Sequence, residues 1–176
     1  MTNAITALFA VALLLWGVGT FTQTIVSETD HSVAAWQRLE QSALARSNTA
    51  IKVDWVSATS SSSTSNVTLL IDNTGTQSLS HFASWDFIFR YFDQSNQLHL
   101  VYASYTNSGT LSNSEWTVQG IYQNEATGVR EVIQPGILDP GEQMLVNAQL
   151  SNPVSSNTVS AIAIATTSGM TTITSF

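Results

Sequence analysis

The sequence predicts an α+β protein, a long N-terminal apolar α-helix followed by an all-β immunoglobulin-like sandwich or barrel. Three observations predict it. Ala4 to Phe21 (AITALFAVALLLWGVGTF) is apolar, with no charged side chain before Glu28. Apolar residues from Ile25 to Leu44 then recur at spacings of three, four and seven, and from Ala50 the period changes to two. The expected division is 1–48, a hydrophobic and amphipathic helix, and 49–176, a β-sandwich outer domain.

At about 1.5 Å per helical residue, Ala4 to Phe21 spans roughly 27 Å, close to the hydrocarbon thickness of a bilayer. A helix that is apolar all round needs an apolar environment all round, either lipid or a bundle of identical helices at the axis of a polymer. The residues expected at such an axis are Ile5, Leu8, Phe9, Val11, Leu13, Leu14, Leu15, Trp16, Val18, Phe21 and Ile25. A cleaved signal peptide fits poorly, because Met1 to Ile5 holds no Lys or Arg and no A-x-A step follows the run. Gly17 and Gly19 each cost about 1 kcal/mol relative to Ala inside a helix, which suits a bend or a close helix contact there.

Beyond Phe21 the apolar face narrows to a stripe holding Val33, Trp36, Leu39 and Leu44, the residues expected to pack the helix against the β-domain of the same or an adjacent subunit. A single helix from about Thr2 to about Ser47 would be roughly 70 Å long, more than a small domain needs for its own core.

Charge is unevenly placed. Residues 1–53 sum to zero, whereas from Asp54 onward nine acids face only Arg90 and Arg130, giving the whole formal charge of -7. So acidic a domain repels a phosphate backbone, which argues against nucleic acid as a partner. There is no cysteine, hence neither a disulfide framework nor a cysteine metal site. Only 10% of residues are charged, and a surface rich in Ser, Thr, Asn and Gln suits an exported domain.

Strand patterns begin at Ile51, Val53 and Trp55, which share one side, opposite Lys52 and Asp54. Thr59 to Ser65 reads as a loop, and Asn66 to Ile71 as a strand entering the turn Asp72-Asn73-Thr74-Gly75. Further strands are expected at 82–92, 97–105, 116–122, 129–134, 143–150, 159–166 and 171–176. In Phe82 to Phe92 the alternation of Phe87, Phe89 and Tyr91 with Asp86, Ile88 and Arg90 marks one buried face. Eight or nine short strands with no second helix indicate a sandwich or barrel.

No catalytic constellation is expected. His31, His81 and His99 lie in separate regions without metal or nucleophile-base spacing, and no GxSxG, HExxH, P-loop or GxGxxG sequence occurs. The chain is therefore read as a non-enzyme with no cofactor and no metal. Asp93 to Gln97 lacks the Gly and the distal Glu of a calcium loop, and an ordinary turn is expected there. Asn66-Val67-Thr68 is an N-x-[ST] sequon, which makes Asn66 the candidate glycosylation residue of an exported domain.

An apolar helix, an amphipathic extension and one acidic β-domain together resemble the archaellin and type IV pilin-like superfamily. The resemblance is sharpest in the N-terminal helix, in Val67-Thr68-Leu69-Leu70-Ile71-Asp72-Asn73-Thr74-Gly75, in Leu138-Asp139-Pro140-Gly141-Glu142, and in Thr166-Thr167-Ser168-Gly169 before a terminal strand. Ile5 stands where bacterial-type pilins tend to carry Glu, which draws the likeness toward archaellins. The resemblance implies membrane insertion as a precursor, cleavage by a prepilin-type peptidase, an assembly ATPase, and a homo-oligomeric helical filament outside the cell, for motility or adhesion. The alternatives are a stator-like, envelope-anchored member of the same system, or a membrane-tethered β-sandwich that binds a ligand.

Overall fold

The computed structural model of the chain describes residues 9–16, 33 and 35–176. The chain divides into two units, Met1–Leu44 and Ala45–Phe176. Helical conformation is found at residues 9–16 and 35–48. Nine strands follow: β1 (Ile51–Ser60), β2 (Ser65–Asn73), β3 (Asp86–Phe92), β4 (Leu98–Tyr105), β5 (Glu115–Asn124), β6 (Val129–Arg130), β7 (Gln143–Leu150), β8 (Ala161–Ala165) and β9 (Thr171–Ser175).

The expected α+β class with its long N-terminal apolar helix is corrected to a mostly β architecture. Among the described residues no helix is long and apolar enough to cross a membrane. Residues 17–32 and 34, which the expected single helix would include, lie outside the described residues. Of the positions assigned to a filament axis, Ile5, Leu8, Val18, Phe21 and Ile25 lie outside the described residues.

Strand order is β1-β2-β7-β5-β4-β3-β8-β9, with β6 beside β5. Instead of two separately stacked sheets, one sheet runs through and nearly closes into a barrel. Its two antiparallel halves meet at the parallel β4–β5 pair, where Ser104 and Tyr105 align with Glu115 and Trp116. The strands alternate as a half-buried sheet requires. Phe87, Phe89 and Tyr91 of β3 face inward with Val67, Leu69 and Ile71 of β2, Met144, Val146, Ala148 and Leu150 of β7, and Ile162 and Ile164 of β8. Each large apolar side chain so buried contributes about 1.5–3 kcal/mol.

Three strand boundaries differ from the sequence reading for local reasons. A bulge at Asp54 shifts the β1–β2 register between Val53 and Trp55, so Trp55 turns outward and Val56 takes the inward place. The Ser-rich loop is shorter than expected, because β1 runs to Ser60 and a turn closed by the Ser61 N–H on the Thr64 carbonyl leads into β2. The strand expected at 129–134 stops at Arg130. There the Glu131 carboxylate accepts the N–H groups of Ile133 and Gln134 at 2.6 and 3.2 Å, folding the chain away from the ladder.

A candidate interaction face

Because β3 sends Phe87, Phe89 and Tyr91 inward, its antiparallel partners are fixed in parity. Facing pairs in β3–β4 are Ile88–Tyr102, Arg90–Leu100 and Phe92–Leu98. On the other flank Ile88 pairs with Ala163, and Ala163 with Ile173 of β9. The outer surface of β4-β3-β8-β9 is therefore a continuous face. Leu98, Leu100 and Tyr102 stand along one edge, Asp86, Ile88 and Arg90 beside them, then the alanines of β8, and Ile173 on the far strand.

This face is apolar and uncovered. Leu100 is 74% exposed and Ile173 72%, and Leu98, Tyr102 and Ile88 are exposed as well. Its charged residues are Asp86 and Arg90. The Asp86 carboxylate accepts the Tyr102 hydroxyl at 3.0 Å, which holds that hydroxyl's pKa above its ordinary value. Arg90 lies over the Phe92 ring, 5.8 Å from its centroid. Contiguous exposed aliphatic and aromatic side chains with a few charges are the chemistry of a protein contact surface.

The hairpin that joins β3 to β4 is rigidly tied. Asp93 Oδ1 accepts the N–H groups of Ser95 and Gln97 at 2.8 and 2.9 Å, while Oδ2 lies 2.9 Å from His99 Nε2. The His99 hydrogen bond, together with these backbone donors, lowers the Asp93 pKa. Tyr91 stacks on the His99 ring at 5.2 Å. Both Asp93 oxygens have hydrogen-bond partners within this turn.

Two cavities border the barrel. One of about 610 Å³ lies between Val56, Ala58 and Ser60 of β1 and the 154–160 loop, with Phe176 at its side. Its walls are hydroxyl, amide and apolar groups, none of them an acid or base with a perturbed pKa. A second, of about 380 Å³, holds Arg130, Glu131 and Tyr105.

Of the residues predicted as sites, the described ones lie as follows. Phe9, Val11, Leu13, Leu14, Leu15 and Trp16 are exposed on the described helical stretch, as are Val33, Trp36, Leu39 and Leu44 further on. Asn66 is exposed on β2, between Thr59 and Gln149. The outer face was missed because hydropathy in β4 points the wrong way. Both leucines of β4, Leu98 and Leu100, lie outside with Tyr102, whereas the inward side carries His99, Val101 against the core and the fully buried Ala103. The signal that finds them is the parity forced by β3, carried across the hairpin from Tyr91–His99 pairing.

No family model matches the chain, and no curated protein matches it. Among solved structures the chain is similar to the archaellum periplasmic stator protein FlaG from Sulfolobus acidocaldarius. The two are 27% identical over 73% of this chain and 99% of that one, with a TM-score of 0.49. A second similar structure is the archaellum periplasmic stator protein complex FlaF and FlaG from the same organism, 27% identical over 72% of this chain and 87% of that chain, also with a TM-score of 0.49. Both names denote archaellum stator proteins; neither denotes an archaellin or a pilin.

Proposed function

We propose that the chain is a stator-like, envelope-associated structural component of an archaellum-type machine, and that its β-domain works by binding protein rather than by catalysis. The observation that carries this reading is the exposed apolar face of β4-β3-β8-β9. A stator-like component needs a contact surface on its β-domain, and this face supplies one. The order of the N-terminal apolar run, amphipathic stripe and acidic β-domain supports membership of the archaellum system.

Leu100→Asp tests the reading, because the side chain is exposed and its replacement leaves the core intact. Cells carrying the variant are expected to make surface filaments in normal number and to lose motility. Loss of the filaments themselves would favour a filament subunit instead, and unchanged motility would remove the face from the function.

A further inference from the structure

We infer that the occupant of this face is a second copy of the chain, stacked face to face about a two-fold axis that crosses the strands at the level of Ile88. The inference rests on the reading of the face as a protein contact surface. Asp86, Ile88 and Arg90 are successive outward residues of β3, all exposed. At about 3.4 Å per residue, Asp86 and Arg90 stand roughly 7 Å to either side of Ile88 along the strand. A half-turn about an axis lying between the two faces and perpendicular to β3 runs the facing strands antiparallel. It sets Ile88 against its own counterpart and Arg90 opposite Asp86 of the copy, twice by symmetry.

The rows across the sheet agree with that placement. Tyr102, Ile88, Ala163 and Ile173 form one lateral row without charge, and this is the row at the axis. Arg90 shares its row with Leu100 and Ala161, and Asp86 with Ala165. Charge favours a copy over another kind of partner. Asp86 and Arg90 cancel within the face, so two acidic domains meet there without like charges opposed. Neither residue forms an ion pair among the described residues. Covering the face with an apolar partner would leave both charges desolvated and unpaired, whereas a copy supplies the counter-charge for each.

The absence of cysteine gives a direct test in the full chain, in detergent, with Ile88→Cys as the single thiol and a short bismaleimide as the probe. A residue on a two-fold axis faces itself, so Ile88→Cys is expected to give covalent dimer about tenfold faster than Ile133→Cys, which lies on the 131–137 loop away from the face. Adding Asp86→Arg or Arg90→Asp singly should slow the reaction about tenfold, and adding both should restore it. The inference is overturned if Ile88→Cys reacts no faster than Ile133→Cys, or if the double exchange fails to recover the rate. Should Ile88→Cys cross-link in native envelopes to other proteins only, the second-copy inference falls and the contact-surface reading stands. Should it cross-link to nothing in either setting, both fall.

Discussion

Trp116 lies nearly flat on Phe87, with ring centroids 4.0 Å apart and planes 26° apart, and both side chains are fully buried. The two residues come from β5 and β3, which flank β4 without pairing to each other, so the stack spans the junction of the two sheet halves from inside. Tyr105 adds an edge-on contact to Trp116 at 4.9 Å. With only the short parallel Ser104–Tyr105 ladder on the backbone side, this aromatic group fastens the junction. Trp116→Ala is expected to cost about 3–5 kcal/mol, read by urea denaturation. That is a large part of a typical domain's stability. A loss below about 1 kcal/mol would mean that the halves are held together elsewhere.

Gly75 closes the entry to the β-domain. The N–H groups of Thr74 and Gly75 both donate to the Ala50 carbonyl, and Thr76 N–H to that of Asn48, each at 2.9 Å. A Cβ at position 75 would stand 2.6 Å from Ala50 N and Asn48 O, both backbone atoms that cannot step aside. Gly75→Ala should therefore break two or three of these bonds and cost about 1–3 kcal/mol. Gly109→Ala is the control, since a Cβ there meets nothing within 4 Å. Equal melting temperatures for the two variants would contradict the close approach.

Much of this architecture was legible, and the parts that were not have identifiable causes. The inward set of β3, Phe87, Phe89 and Tyr91, follows from simple alternation. Trp55 was misplaced because a bulge at Asp54 adds one residue, and no hydropathy pattern records a bulge. The end of β6 was missed because it is decided by one side chain, Glu131, competing with the ladder for backbone N–H groups. The strand at 97–105 was legible but the outward side of Leu98, Leu100 and Tyr102 was not, since exposed and buried apolar side chains look alike in a hydropathy pattern.

Glu142 should make stability depend on pH. Its Oε2 accepts the Asp139 N–H at 2.8 Å in a buried position, and burial, with the nearby Glu131 carboxylate as a lesser cause, raises its pKa above 4.5. A folded-state pKa above the unfolded value means that the protonated acid favours the fold. This contribution is complete below about pH 4.5 and is lost as pH rises through the higher folded value. Glu142→Gln keeps an acceptor for Asp139 without the charge, so the variant should melt higher than the parent at pH 7 and lose this part of the pH slope. A variant less stable than the parent at pH 7 would show that the ionised carboxylate is the form the fold prefers.

Asp93 contributes with the opposite sign. Its pKa is lowered, chiefly by the His99 hydrogen bond, so its stabilising effect is present above about pH 3.8 and fades as pH falls through the lower folded value. Asp93→Asn should weaken the β3–β4 hairpin at neutral pH, seen as faster amide exchange at Ser95 and Gln97, whose N–H groups its carboxylate accepts. Unchanged exchange at both amides would remove Asp93 as the tie of this turn.

The most direct test of the functional reading is where the chain resides, measured by immunogold electron microscopy of whole cells and isolated filaments with an antibody against the β-domain. A stator-like component predicts label confined to the cell envelope, with isolated filaments bare. Label repeating along the filament length would contradict it and return the chain to the filament subunits.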